Sequence, residues 1–268
     1  MRKHVRTPGR YKTTCSFFNE RQRINDLIDF HTHILPGIDD GSRDASMTEA
    51  MLAEERHQGV DIVAATPHFY ADRMSVDHFL ERRAAAYEKT EAIRAEHADG
   101  DALPALVCGA EVYYFRGIGR AEAVPELCIG GTKTLLLEMP FQEWDEEVLQ
   151  DVKDLIRKQH LNIVLAHVER YIDFQKHRKI WDAVMDLPLT PQINAGSFYK
   201  KGGFLRPDKK RKFCMNFLRE HPDLILGSDC HNMTSRKPNL AGAREEIRKA
   251  LGDDALARID AAAGKALA

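Results

Sequence analysis

The segment at residues 27–33, Leu-Ile-Asp-Phe-His-Thr-His, decides the fold. It is a short apolar run that ends in two histidines spaced i, i+2. A strand places side chains i and i+2 on the same face, so His31 and His33 are expected to point the same way. The segment is therefore predicted to be a buried strand whose last residues carry chemistry.

Six similar apolar runs follow along the chain, at residues 61–68, 105–113, 134–139, 162–168, 189–195 and 224–229. Amphipathic stretches separate them, most clearly at residues 45–58, 76–97, 145–159, 207–220 and 238–251, and the Ala-rich tail 253–268 reads as a surface helix. Strands that alternate with helices indicate βαβ units and a parallel sheet. Polar residues stand at the C-terminal ends of nearly all the strands, which favours a barrel over an open sheet with one crevice.

These patterns predict an α/β fold with seven strands in a single domain at residues 27–268. Residues 1–26 are interpreted as a basic, flexible N-terminal extension, which could touch anionic lipid or an acidic partner but is more simply a solvated leader. They lack the apolar core of a signal peptide, and no apolar run in the chain approaches the ~20 residues needed to span a bilayer.

The composition excludes several classes of protein. Among 268 residues, 39 are Lys or Arg and 41 are Asp or Glu, so the formal charge of −2 argues against a general nucleic-acid binder. A hydrophobic share of 43% argues against a disordered chain. The five cysteines are scattered without a Cys-x-x-Cys motif, which predicts free thiols and a cytoplasmic location.

Six of the seven predicted strands end in histidines or carboxylates, which are costly to bury unless they are paired or ligated. Crowded carboxylates raise one another's pKa, and divalent cations relieve that repulsion. Mixed nitrogen and oxygen ligands without thiolates suit Mn, Fe, Zn or Ni rather than a structural zinc site. Because the ligands exceed what one ion needs, two or three ions are predicted. The strand-end residues are His31, His33, His68, Glu111, Glu138, His167, Asp229 and His231.

The sequence motifs around these residues resemble those of the polymerase-and-histidinol-phosphatase (PHP) superfamily. Within it they resemble the manganese-dependent bacterial protein-tyrosine phosphatases of capsule and exopolysaccharide operons, the CpsB/YwqE type. The resemblance runs from about residue 27 to residue 251. It rests on residues 29–44 (DFHTHILPGIDDGSRD), 65–69 (ATPHF), 109–113 (GAEVY), 135–140 (LLLEMP), 166–171 (AHVERY), 192–197 (QINAGS) and 227–232 (GSDCHN).

The resemblance implies a distorted seven-stranded (β/α)7 TIM-like barrel, the PHP fold. It implies Mn²⁺ as the expected metal, with Fe, Zn or Co as alternatives, and Glu111 as a bridging carboxylate. Arg170 matches a family arginine expected to bind the substrate phosphate. Arg236 is the only arginine close to the position of a second one, in a loop where the register is open. The implied ligands are His31, His33, Asp40, His68, Glu111, Glu138, His167, Asp229 and His231.

The implied activity is hydrolysis of phosphotyrosine by a metal-activated hydroxide, with Asp40 or His68 as the general acid where one is needed. The implied partner is the tyrosine-rich tail of a bacterial tyrosine autokinase that controls polysaccharide export. A phosphatase of a small metabolite such as histidinol phosphate, or a phosphodiesterase, is the alternative enzyme. A non-catalytic binding protein on a decayed scaffold is disfavoured by the intact set of ligands. The oligomeric state is left open.

Cysteine-based tyrosine phosphatases use a Cys-x5-Arg loop, and that spacing occurs here from Cys15 to Arg21 and from Cys230 to Arg236. Such a loop needs glycine so that successive N–H groups can surround phosphate, and neither stretch contains one. Both matches are interpreted as coincidences. Residues 113–115, Tyr-Tyr-Phe, are either a rim for a phenol ring or part of the core, and Asn194 and Ser197 are candidate supports of the ligands.

Overall fold

The computed structural model describes residues 26–97, 102–199 and 208–268, and in these ranges it contains nine strands and seven α-helices. Most of the predicted N-terminal extension, residues 1–25, lies outside them. The strands are β1 (Ile28–Thr32), β2 (Ile62–Ala65), β3 (His68–Phe69), β4 (Ala105–Cys108), β5 (Glu111–Tyr113), β6 (Thr134–Glu138), β7 (Asn162–Leu165), β8 (Thr190–Asn194) and β9 (Ile225–Gly227). The helices are α1 (Ala45–His57), α2 (Val76–Glu96), α3 (Glu146–Arg157), α4 (Arg178–Met185), α5 (Lys209–Glu220), α6 (Leu240–Leu251) and α7 (Asp253–Ala266).

All strand pairs are parallel, as the alternation of strands and helices predicts. The strands form a three-stranded sheet, in the order β1-β2-β4, and a six-stranded sheet, in the order β3-β5-β6-β7-β8-β9, which makes a half-barrel. The described residues are therefore a mixed α/β fold with two parallel sheets. The predicted ring of seven strands is not established by this pairing.

Two of the seven predicted strands are each split in two. Residues 61–68 divide into β2 and β3 at Pro67, which has no N–H to donate to a strand ladder. Residues 105–113 divide into β4 and β5 at Gly109, where an added Cβ would lie 2.4 Å from Ile129 Cγ1. The N–H of Glu111 donates to both Thr66 O and Pro67 O at 3.2 and 3.0 Å, so the two breaks lie side by side.

Four of the seven described α-helices begin at a short polar side chain that accepts a backbone N–H group. Ser75 Oγ accepts the N–H of His78 at 3.3 Å at the start of α2. Asp44, Asp145 and Asp208 do the same for α1, α3 and α5. Each such cap contributes about 1 kcal/mol to the stability of its helix. No α-helix among the described residues is both long and apolar enough to cross a bilayer.

The alternation of side chains along the strands explains why polar groups collect at one end. Ala64, Val107, Leu136 and Ile225 belong to the smaller of two apolar clusters, which Ala263 and Leu267 at the end of the chain also join. Because strand side chains have a period of two, the face of β6 that carries Leu136 also carries Glu138. His68, Glu111 and Asp229 lie four positions after Ala64, Val107 and Ile225, beyond the ends of β2, β4 and β9.

Strand β1 reaches the same end only through an irregularity. Ile28 and Phe30 lie in the smaller cluster, so a regular strand would direct Thr32, not His31 and His33, to that face. The pairing register with β2 shifts between Asp29 and Thr32, which changes the alternation there. The sequence pattern alone contains no signal for this shift.

Candidate metal centre

The predicted ligands converge at the C-terminal ends of the strands. Three overlapping groups each bring one ligand atom per residue within 4.8 Å of the others, and together they contain all predicted ligands except His167 and Asp229. The groups are His33, Asp40, His68 and His231; His31, His33 and Glu111; and His68, Glu111 and Glu138.

Glu111 lies at the centre of the cluster and contacts four histidines. Its Oε2 lies 3.2 Å from His31 Nε2, 3.2 Å from His33 Nε2 and 2.9 Å from His68 Nδ1. Its Oε1 lies 2.8 Å from His167 Nε2. A carboxylate with both oxygens surrounded in this way has the geometry of a ligand shared between cations.

The two predicted ligands outside those groups, His167 and Asp229, also contact residues of the cluster. His167 Nε2 lies 3.4 Å from Glu138 Oε1 as well as next to Glu111. Asp229 Oδ1 lies 3.5 Å from His33 Nε2 and 3.7 Å from His31 Nε2. His167 and Asp229 both adopt positive φ, +31° and +54°, which is uncommon for residues other than glycine and marks strained backbone at the site.

Two buried carboxylates of the cluster, those of Glu111 and Asp229, have pKa values that favour the ionised form. Burial alone would raise the pKa of Glu111, but the charge of His31 and the hydrogen bond from His167 hold that pKa well below its usual value. Burial also opposes ionisation of Asp229, and the charge of His31 with hydrogen bonding from His33 holds its pKa well below the usual range. The site is thus a set of anions that needs positive charge.

The histidines divide according to which neighbours they face. Burial lowers the pKa of His167, but hydrogen bonds to Glu111 and Glu138 outweigh it and raise the pKa to about 9. Burial, followed by repulsion from His33, lowers the pKa of His231 to about 3. Metal ligation requires neutral histidine and ionised carboxylate, so protons and metal ions compete for this cluster.

A metal fits the residues because several ligand atoms lack other partners. Glu111 Oε2, His68 Nδ1 and His231 Nε2 are buried and make no hydrogen bond of acceptable geometry. Buried polar atoms are usually satisfied, and a shared cation would satisfy all three. Asp40 differs from the rest because its side chain is 67% exposed, with Oδ1 3.5 Å from both His68 Nε2 and His231 Nε2.

Asp39, the neighbour of the predicted ligand Asp40, orients the cluster. Its Oδ2 lies 2.7 Å from His33 Nδ1 and accepts the N–H of His68 at 3.0 Å, while its Oδ1 accepts the N–H of Gly41 at 3.0 Å. Burial alone would lower the pKa of His33, but the charge of Asp39 raises it well above its usual value. The sequence showed two adjacent acids without indicating that the first supports a ligand.

Gln192 is a second orienting residue that the sequence interpretation missed. Its Oε1 lies 3.1 Å from His31 Nδ1 and accepts the N–H of His167 at 2.8 Å, so it links two ligand-bearing strand ends. Its Nε2 donates to Asn194 Oδ1 at 2.9 Å. Asn194 in turn donates to Asp229 Oδ2 at 2.7 Å, in line with its expected supporting role. Ser197 instead donates to Glu169 at 2.8 Å, away from the ligands.

Both predicted arginines lie against Asp229. Arg170 Nη2 donates to Asp229 Oδ2 at 2.6 Å, and Arg236 Nη2 donates to Asp229 Oδ1 at 2.7 Å. The backbone of Arg236 is held within its loop, because its carbonyl accepts the N–H groups of His231 and Asn232 at 2.8 and 3.2 Å. Each guanidinium is about one-third exposed, 33% and 36%, so it borders both the cluster and solvent.

The two tyrosines of residues 113–115 differ: one belongs to the core, and the other lies at the border of the cluster. Tyr114 is buried and its hydroxyl donates to Asp151 at 2.9 Å, so it belongs to the core. Tyr113 is half-buried and packs at 5.6 Å from Tyr70, whose ring lies 5.2 Å from that of His68. Of the two tyrosines in this stretch, Tyr113 alone borders the cluster.

Asp39→Asn is expected to weaken metal binding by about 10- to 100-fold, as for other residues that orient metal-bound histidines. The amide keeps the shape but removes the charge that faces His33. Titration of metal-depleted protein with Mn²⁺, followed by calorimetry, measures the change. Asp223→Asn, at an exposed position in the same fold, is the matched control. Equal affinity of Asp39→Asn and the control would contradict the orienting role.

The sequence of this chain is similar to a capsular polysaccharide synthesis family and to bacterial tyrosine-protein phosphatases. A family model described as "Capsular polysaccharide synthesis, CpsB/CapC" matches residues 27–267. The tyrosine-protein phosphatase CpsB of Streptococcus pneumoniae is 26% identical, over 84% of this chain and 91% of that protein. The tyrosine-protein phosphatase YwqE of Bacillus subtilis is 24% identical, over 85% of this chain and 86% of that protein.

A solved structure gives the same result for the fold. One chain from a study of YwqE from Bacillus subtilis and CpsB from Streptococcus pneumoniae, described there as unique metal-dependent tyrosine phosphatases, superimposes with a TM-score of 0.74. The match covers 90% of this chain and 94% of the other, at 24% sequence identity. At that identity the superposition establishes a shared fold.

Proposed function

This chain belongs to the CpsB/CapC family of capsular polysaccharide synthesis proteins, and on that premise we propose that it is a metal-dependent protein-tyrosine phosphatase. The observation that carries the proposal is the convergence of five histidines and four carboxylates, bordered by two arginines, at one end of the strands. The curated relatives that align over most of their length are named tyrosine-protein phosphatases.

The nine converging residues would hold two or three ions, with Glu111 shared between them. Mn²⁺ is the metal we propose, since a set of imidazoles and carboxylates without thiolate suits it; Fe, Zn and Co are the alternatives. Bound divalent ions would supply a water nucleophile at neutral pH and neutralise charge on the phosphate. Holding the ions would fall to His31, His33, Asp40, His68, Glu111, Glu138, His167, Asp229 and His231.

Arg170 and Arg236 would bind the phosphate. Their guanidinium groups meet at Asp229 and reach solvent, so a phosphate dianion at the rim can accept charge-assisted hydrogen bonds from both. The phenolate leaving group has a conjugate-acid pKa of about 10 and needs little protonation help. Where help is needed, Asp40 and His68 are the proposed donors, because they lie at the exposed edge of the cluster.

We also propose that the two sheets form one distorted, closed seven-stranded (β/α)7 barrel within a single domain at residues 27–268. An isolated parallel bridge pairs Thr32 with Cys230, just past the ends of β1 and β9. The N–H of His33 donates to Cys230 O at 2.9 Å, and the N–H of Asp229 donates to His31 O at 2.8 Å. These contacts support closure between the first and last strands.

The proposed substrate is the phosphotyrosine tail of a bacterial tyrosine kinase, met in the cytoplasm. The family description supports a place in capsular polysaccharide synthesis. Free thiols at Cys128, Cys214 and Cys230 fit a reducing compartment.

A chelator experiment tests the metal-dependent reaction directly. Treatment with EDTA is expected to abolish hydrolysis of a phosphotyrosine peptide, and Mn²⁺ is expected to restore it. Metal analysis of the active protein is expected to give two or three ions per chain. Fewer than one ion per chain, or activity that survives chelation, would overturn the proposal. Faster turnover of histidinol phosphate than of the peptide would point to the small-metabolite phosphatase instead.

Cys230→Ala is the companion variant, and it is expected to retain activity. Cys230 is fully buried, and burial followed by the charges of Glu55 and Asp29 raises the pKa of its thiol well above its usual value. A buried neutral thiol is a poor nucleophile. Loss of activity in this variant, with the melting temperature unchanged, would favour a cysteine mechanism.

A further inference from the structure

Phe141 and Phe174 form an exposed aromatic surface beside the cluster. They are the exposed large hydrophobic side chains among residues 26–97, 102–199 and 208–268, with 39% and 42% of each residue accessible. Their ring centroids lie 5.9 Å apart at an interplanar angle of 65°. We call this pair the aromatic shelf. Adjacent exposed aromatic rings next to a polar site are typical of a surface that binds a ligand.

The aromatic shelf rests on a column of buried rings. Phe141 packs 5.4 Å from Tyr171, Tyr171 packs 5.4 Å from Trp144, and Trp144 stacks 5.3 Å from Trp181. The Tyr171 hydroxyl accepts the N–H of Met139 at 3.0 Å, which fixes the column to the strand that carries Glu138. Because its support is packed, the shelf is preorganised, and binding to it costs little conformational entropy.

The aromatic shelf is continuous with the candidate metal centre. The Phe141 ring lies 6.1 Å from the His167 ring and nearly parallel to it, at 17°. Phe141 follows Glu138 by three residues, and Phe174 follows Arg170 by four. The aromatic shelf therefore lies beside the predicted ligand His167, on the segments that follow Glu138 and Arg170.

We propose that the aromatic shelf binds the phenyl ring of the substrate's phosphotyrosine and so selects aryl over alkyl phosphates; this inference rests on the proposed function. A phenyl ring stacks favourably on exposed aromatic faces, in edge-to-face or offset geometry. Phosphoserine and phosphothreonine carry no ring to place there. The shelf would act on substrate binding, while the cluster and the arginines carry the chemistry.

Tyr70 and Tyr113 are the other aromatic pair near the cluster, and they are less suited to hold a ring. Arg73 already covers the Tyr70 ring, with its guanidinium carbon 4.2 Å from the centroid. His68 and Tyr113 pack against the same tyrosine at 5.2 and 5.6 Å. The contacts that Tyr70 offers are thus largely taken by its own neighbours.

The test compares two phosphonates that differ only in the presence of a ring. The binding of phenylphosphonate and of methylphosphonate to the Mn²⁺-supplied protein is measured by calorimetry, for the original chain and for Phe141→Leu/Phe174→Leu. The double variant is expected to bind phenylphosphonate about tenfold more weakly, as for the loss of aromatic contacts, with methylphosphonate binding within about twofold. With a phosphotyrosine peptide, KM is expected to rise while kcat changes little.

Tyr113→Leu is the matched control, because it removes an aromatic ring on the Tyr70 side of the cluster. It is expected to leave the ratio of the two affinities unchanged. An unchanged ratio in the shelf variant, or a loss confined to Tyr113→Leu, would overturn the inference. A change of oligomeric state in the shelf variant at an unchanged ratio would overturn it too, since the shelf would then join two copies. If the original chain hydrolyses no phosphotyrosine, the proposed function fails, while the ratio still decides the shelf.

Discussion

Glu111→Gln is expected to lower kcat for a phosphotyrosine peptide by about 10³-fold or more, the largest effect of any single change in this site. Glutamine keeps the size and shape of the side chain. It replaces one acceptor oxygen with an NH₂ group and removes the charge that faces His31, His33, His68 and His167. A neutral amide cannot bridge two cations, so the metal content is expected to fall by at least one ion per chain.

Three measurements separate this expectation from simple misfolding. Circular dichroism should show an unchanged fold, metal analysis should show the lost ion, and steady-state kinetics should show the loss in kcat. Glu126→Gln, at an exposed position, is the matched control and should behave like the original chain. If Glu111→Gln kept its full metal content and its turnover, Glu111 would not be a shared ligand.

Arg170→Lys and Arg236→Lys are each expected to lower kcat/KM by about 100-fold, because a lysine cannot present two parallel N–H groups to a phosphate. The two arginines reach the same carboxylate from different loops, with Nη2 of each on a different oxygen of Asp229. Lysine keeps the positive charge beside Asp229. The metal content is therefore expected to stay unchanged, unlike that of Glu111→Gln.

Arg116→Lys is the control for these variants, since Arg116 is exposed and pairs on the surface with Asp145 and Glu147, neither of which is a predicted ligand. Inorganic phosphate, used as a competitive inhibitor, should also bind the two variants more weakly, which is measured as a larger inhibition constant. Normal kcat/KM in both variants would remove the arginines from phosphate binding. If either variant lost metal, the arginine replaced in it would instead be assigned the role of positioning Asp229.

The strands and their polar ends could be predicted because the signal is repeated and local. Each of the seven predicted strands overlaps an observed one, and strand-end residues such as His68, Glu111 and Glu138 lie within one cluster. A parallel fold forces the carboxyl ends of its strands to one side, so residues far apart in sequence were brought together by topology alone. The position of Arg236 could not be predicted in the same way, because it depends on hydrogen bonds from the N–H groups of His231 and Asn232 to the Arg236 carbonyl.

The features that the sequence did not predict depend on contacts between segments. The split of residues 105–113 follows from the close approach of Ile129 to Gly109, whereas the split of residues 61–68 follows from Pro67, a local signal that the predicted strand overlooked. Asp39 and Gln192 act on the ligands through single hydrogen bonds, which leave no periodic trace. The position of Phe141 and Phe174 next to His167 depends on how two loops pack, so the residues 113–115 were the aromatic stretch that the sequence drew attention to.

The contact between β1 and β9 has a consequence for how the protein is made. Asp29 Oδ1 accepts the N–H of Ser228 at 2.9 Å across 199 positions of sequence, beside the histidines of the first strand. Closing so long a loop costs conformational entropy, and proteins whose contacts have a high sequence separation fold more slowly. During synthesis the first strand must wait for nearly the whole chain to leave the ribosome. The candidate metal centre is therefore expected to be among the last parts to assemble, so that a product truncated before residue 228 is expected to lack phosphatase activity.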